Sequence, residues 1–163
     1  MVLRHAKSAW PDVPDAERPL GKRGLRDAPM AGAWLRDHRH VPDQVLCSPA
    51  RRTRETWKLA ANQLVAAAPV RYDRRIYAAE ADTLLQVVAE CPDQTATVLL
   101  IGHFPSVRDL TLHLAGEDSD QDALERVRTK FPTSGIAVLA VPTVWAGLTA
   151  KIARLTDFAV PRG

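Results

Sequence analysis

Thr95-Ala96-Thr97-Val98-Leu99-Leu100-Ile101-Gly102-His103 is the stretch on which the fold turns. Val98 to Ile101 is an unbroken apolar run, the pattern of a strand covered on both faces. It ends in Gly102-His103, and Pro105-Ser106 then opens a helical pattern through Val107, Leu110 and Leu114. A buried strand that leads straight into a helix, with a histidine at the junction, predicts a βα unit. Open α/β sheets gather their ligands at that carboxyl edge.

Similar units lie on either side. Met1 to Leu3 is a short apolar lead that delivers Arg4 and His5 to the end of a central strand, short enough that the natural chain is expected to start slightly earlier. Pro11, Pro14 and Pro19 make Ser8 to Leu20 a loop that could line a site. Leu25, Ala28, Ala31, Gly32 and Leu35 recur at helical spacing and predict a helix from about Lys22 to Asp37, with Met30 and Trp34 as core or groove filler. Pro29 should kink that helix or move its start. Gln44 to Cys47 reads as a second buried strand, and Ser48-Pro49 as an N-cap followed by proline at the first helical position. The apolar stripe of that helix is Trp57, Ala60, Ala61 and Leu64. Pro69 to Tyr72 predicts a third strand, Glu80 to Glu90 a third helix, and Gly116 to Asp122 an exposed acidic loop. Gly135 to Val141 and Lys151 to Phe158 read as the last strands. Strands alternating with helices give an α/β class: one domain over residues 1–163, three layers α/β/α, with a mainly parallel central sheet.

With 163 residues, the chain can bury about 70% of its unfolded surface, so it needs no metal or disulfide staple. The 46% apolar and 25% charged content is that of a soluble globular protein. The net charge of +3 is scattered, without the aromatic-interleaved basic face of a nucleic-acid binder. Cys47 and Cys91 are far apart and lack metal-ligand spacing. No apolar run approaches a membrane span, and Arg4, His5 and Lys7 stand where a signal peptide needs its apolar core. A reduced, cytoplasmic monomer with no nucleic-acid or membrane partner is expected.

Chemistry is suggested by Arg4-His5 in Leu3-Arg4-His5-Ala6-Lys7-Ser8. Imidazole attacks phosphorus through an unprotonated nitrogen, and its reference pKa of about 6.5 leaves much of it neutral at pH 7. A neighbouring guanidinium offers planar donors to phosphoryl oxygens. An Arg-His pair alone is weak. Cys47-Ser48-Pro49-Ala50-Arg51-Arg52-Thr53-Arg54-Glu55-Thr56 adds a helix start rich in arginine, and Gly102-His103-Phe104-Pro105 adds a second histidine at a strand end.

In order and spacing these three segments resemble the histidine phosphatase superfamily, with its RHG or RHA opening, its S-P-x-x-R-x-x-x-T segment and a late G-H-N-P-type segment. With Glu17-Arg18-Pro19-Leu20 before the first helix, the chain is most similar to the SixA-type phosphohistidine phosphatases. The resemblance runs from Met1 to about Phe158 and implies a phosphoglycerate mutase-like fold. It also implies a metal-independent reaction without a cofactor. His5 would attack in line and form a phosphohistidine intermediate, while Arg4, Arg52 and His103 surround the phosphoryl group as catalytic and substrate-binding residues.

Phe104 and Ser106 replace the asparagine and glycine common in this branch, which bears on substrate choice. Branches that cleave alkyl phosphates carry a glutamate near Ile76 to Asp82. The expected position reads Ala78, and Glu80 is the possible acid, with a plain helix-start role as its alternative. The leading expectation is a phosphatase for phosphohistidine on a protein. The alternatives are a phosphatase for small phosphorylated metabolites such as nucleotides or sugar phosphates, and a non-catalytic phosphate-binding scaffold. His38, His40 and His113 carry no signal for chemistry.

Overall fold

Short apolar strands can form the middle of this molecule because helices cover both of their faces. In the computed structural model, which describes residues 1–66 and 68–163, β1 (Val2–Arg4), α1 (Lys22–Asp37), β2 (Gln44–Cys47), α2 (Arg51–Ala61) and β3 (Val70–Tyr72) come first. They are followed by α3 (Ala81–Ala89), β4 (Val98–Gly102), α4 (Ser106–Leu114), α5 (Gln121–Thr129), β5 (Ile136–Ala140) and β6 (Arg154–Ala159). The sheet order is β3-β2-β4-β1-β5-β6. β3, β2, β4 and β1 are parallel, while β5 runs antiparallel to β1 and β6 antiparallel to β5.

Alternation along the strands sorts the core into two layers. Leu3, Val45, Leu99 and Ile101 pack with Leu35, Trp57 and Ala60 of α1 and α2. Val2, Leu46, Val98 and Leu100 pack with Leu84, Val87, Leu110, Leu124 and Val127 of α3, α4 and α5. This is the three-layer, mainly parallel architecture expected. Among the described residues, no helix is long and apolar enough to cross a membrane.

Helix α1 occupies the expected span, but Pro29 does not move its start. Its buried stripe is Gly24, Asp27, Ala28, Ala31, Gly32 and Leu35. Leu25 and Met30 are exposed because Gly24 faces the backbone of Lys7, where a Cβ would collide with the Lys7 carbonyl. Likewise, a Cβ on Gly32 would run into the Ala60 carbonyl of α2.

Two boundaries differ from the sequence reading. Ser48 is not the cap of α2: Ala50 takes that place with ψ 145°, and the Ser48 hydroxyl turns to His103 instead. The segment read as an acidic loop ends in a helix. The Asp120 carboxylate accepts the Ala123 amide at 2.8 Å and caps α5, whose Ala123, Leu124 and Val127 are buried.

Candidate active site

Strand register brings the three sequence segments to one edge of the sheet. Arg4 stands beside Gly102 and Cys47 beside Ile101. The next residues are tied across the same gaps: the His5 amide donates to the Gly102 carbonyl and the Ser48 amide to the Ile101 carbonyl, each at 3.1 Å. His5, Ser48 and His103 therefore leave adjacent parallel strands side by side.

His5 is 8% exposed, and its Nδ1 lies 2.7 Å from the Ala6 carbonyl. A carbonyl only accepts, so Nδ1 carries the proton and Nε2 keeps its lone pair. The Ala6 amide in turn donates to Thr56 Oγ1 at 3.0 Å, and that hydroxyl donates to the Arg52 carbonyl at 2.6 Å. Through Thr56, helix α2 is pinned to the turn that carries His5. Burial pushes the His5 pKa down to about 3; the Ala6 hydrogen bond opposes this, and the charges of His103, Arg52 and Arg4 add to it.

His103 is equally buried, with its ring centroid 5.2 Å from that of His5. Its Nε2 is 2.8 Å from Ser48 Oγ, and its Nδ1 has no partner among the described residues. Burial, then the Arg52 charge, lowers its pKa to about 4. Arg4 donates through Nη1 to the Phe131 carbonyl at 2.7 Å, and burial lowers its pKa as well. Its guanidinium carbon is 5.0 Å from the Phe104 ring, which also sits 4.9 Å from that of Arg108.

Arg52, 6% exposed, completes the group and brings with it a residue the sequence reading missed. Its Nη1 donates to the Asp15 carbonyl at 2.6 Å and its Nη2 to Asp15 Oδ2 at 2.9 Å. The same carboxylate accepts the Tyr77 hydroxyl at 2.7 Å and Arg18 Nη1 at 2.8 Å. The Tyr77 hydroxyl, Arg18 and Arg52 together hold the Asp15 carboxyl well below the usual carboxylate range. Arg18 anchors the proline-rich loop through Ala9 and Ser8, at 3.1 and 2.7 Å, and its guanidinium stacks on Trp10. In sequence, Asp15 is one acid among several in a loop. The only signal near it was the Glu17-Arg18-Pro19-Leu20 segment.

The structure thus brings together Arg4, His5, Arg52 and His103, with Asp15, Tyr77, Ser48 and Thr56 around them. Glu80 is exposed, stands at the N-cap of α3 without capping it, and makes no hydrogen bond to this group among the described residues. Two imidazoles with lowered pKa values and two guanidiniums are gathered at one sheet edge, a set of groups that could hold an anion beside a nucleophilic nitrogen.

The profile of the histidine phosphatase superfamily (branch 1) matches residues 1–82. An uncharacterized protein of Mycobacterium leprae is 41% identical over 165 residues, which span 98% of this chain and all of that one. An uncharacterized protein of Mycobacterium tuberculosis is 44% identical over 162 residues, with the same two shares. Among solved structures, a protein of Nakamurella multipartitia assigned as phosphohistidine phosphatase SixA is 34% identical. It has a TM-score of 0.87, with 98% of this chain and 93% of that one covered. A protein histidine phosphatase SixA solved with tungstate shares the fold, with a TM-score of 0.80 at 20% identity over 98% of this chain and 95% of that one.

Proposed function

Because the chain belongs to branch 1 of the histidine phosphatase superfamily, we propose that it hydrolyses phosphohistidine on a phosphorylated protein, as a single catalytic domain over residues 1–163. His5 Nε2 attacks the phosphorus in line, the P–N bond to the substrate imidazole breaks, and the phosphoryl group passes to His5. Water then attacks this phosphohistidine and releases inorganic phosphate, which restores His5. Arg4, Arg52 and His103 stabilise charge on the phosphoryl oxygens, as preorganised donors do in such transfers. Positive charge is therefore supplied by side chains, and the reaction is metal-independent.

The observation that carries this reading is the state of His5: Nδ1 committed to the Ala6 carbonyl, Nε2 without a partner among the described residues, and two arginines beside it. Phosphohistidine as the substrate is supported by the carboxylates. Expelling an alkoxide calls for a proton in the transition state, worth about 10²–10⁴-fold from a placed acid. Asp15, a carboxylate bonded into the site, is held ionised by three donors, and among the described residues Glu80 makes no hydrogen bond to the group. A substrate imidazole can be protonated near neutral pH and leaves as a neutral ring.

The test is a turnover screen of a phosphohistidine protein, an aryl phosphate and several alkyl phosphates, with labelled phosphate traced to the enzyme. Label on His5 and a kcat/KM strongly favouring the phosphohistidine protein are expected. Rapid alkyl phosphate turnover that collapses in Glu80→Gln would transfer the assignment to a small-molecule phosphatase. No turnover of any substrate would leave a phosphate-binding scaffold.

A further inference from the structure

Asp15 is the charged member of the groups around this site that the reaction above does not use, and it is bonded more heavily than a loop residue needs to be. It accepts five hydrogen bonds, two of them from Arg18 and the others from two segments far away in sequence. Arg52 of α2 reaches both its carbonyl and its carboxylate, Tyr77 reaches the carboxylate from beyond β3, and Arg18 reaches it from its own loop. Of the five N–H donors of Arg52, two are thereby committed, one on each terminal nitrogen. This fixes the plane of the guanidinium and leaves its remaining donors in a set direction.

We propose that Asp15 is a positioning residue for the reaction. It holds Arg52 in the orientation that meets the phosphoryl group, and its negative charge weakens the grip of the site on inorganic phosphate, the product that must leave. The two effects share one side chain. With its carboxylate bond altered, the guanidinium keeps only the bond to the Asp15 carbonyl and can turn about it, and a positioning error of about 1 Å is enough to cost about 10²-fold in rate. The charge, meanwhile, lies just behind a side chain that binds an anion, so every phosphate on Arg52 is repelled by it. Tyr77 sits edge-on to His103 with ring centroids 5.4 Å apart, so its bond to Asp15 also ties the proline-rich loop to the second histidine. The inference rests on the proposed phosphatase reading, which assigns Arg52 to the phosphoryl group.

The roles separate in a pair of variants, because a merely structural residue would lower rate and phosphate affinity together. Asp15→Asn keeps the shape and removes the charge; Asp15→Glu keeps the charge and shifts it. With an aryl phosphate as probe, kcat should fall about 10- to 100-fold in both variants. The Kd for inorganic phosphate, by calorimetry, should fall about 3- to 10-fold in Asp15→Asn alone, the size expected for one removed charge a few ångströms away in a hydrated site. Wild-type kcat in either variant, or a Kd that rises in Asp15→Asn, overturns the proposal. If Asp15→Asn did not fold, kcat of Asp15→Glu would decide, a value within two-fold of wild type overturning it. Absence of any turnover or phosphate binding by the wild type would instead refute the phosphatase reading itself, and this inference with it.

Discussion

The nucleophile proposed here works only as a neutral ring, and its surroundings keep it neutral. Burial first, then the charges of His103, Arg52 and Arg4, hold the His5 pKa at about 3, against an ordinary value near 6.5. After correction for substrate ionisation, kcat/KM should therefore show no inflection near pH 6.5, and the acid limb belonging to His5 should lie well below pH 5. A profile with half its activity lost at pH 6.5 through an enzyme group would contradict this. Substitutions at the same scale separate the site from its neighbours. Arg52→Ala and His103→Ala should each cost about 10²-fold or more in kcat, as lost transition-state donors do. Glu80→Gln should stay within a few-fold of wild type, because Glu80 is exposed and, among the described residues, makes no hydrogen bond to the group. Activity should also survive chelator, since Arg4 and Arg52 supply the charge that a metal ion supplies in other phosphoryl transfers. Activity lost in chelator and restored by a divalent ion would overturn that expectation.

At the scale of elements, the position of Arg52 depends on how closely α2 packs on α1. Gly32 lies so near the Ala60 carbonyl that an added Cβ must push the helices apart. Gly32→Ala should destabilise the fold by about 1–3 kcal/mol, the usual cost of overpacking, as a lower urea midpoint. Because α2 carries Arg52 and reaches Ala6 through Thr56, kcat should fall as well. Helix α5 offers a control away from the site. Asp120→Ala removes its cap, which should cost about 1 kcal/mol and leave kcat unchanged. The segment that leads into α5 reads in sequence as an exposed acidic loop. An aspartate that ends a loop and one that caps a helix look alike until the backbone that follows is placed.

For the whole molecule, two buried neutral imidazoles make stability depend on pH. Both pKa values are lowered on folding, to about 3 for His5 and about 4 for His103. The unfolded chain therefore binds more protons once the pH falls below about 6.5. The stability they contribute is whole above that value and is lost as the pH falls towards 4, at about 1.4 kcal/mol per pH unit for each ring. The loss between pH 7 and pH 5 should be smaller in His5→Ala than in wild type, read as the difference in unfolding free energy. Equal losses would mean that His5 is not buried as a neutral ring. The sequence by itself determined the class of the fold and which segments meet at the candidate site. Val98 to Ile101 can be so evenly apolar only between two helical layers, and Arg4-His5, Ser48 to Thr56 and Gly102-His103 stand at strand ends and a helix start, which local pattern reveals. Only the tertiary structure decided what surrounds them. Asp15 meets Arg52 across 37 positions and Tyr77 across 62, and Ser48 meets His103 across 55. Such partners are chosen by sheet register and by the packing of a loop on a helix, and periodicity, which records only the neighbours along the chain, holds no trace of either.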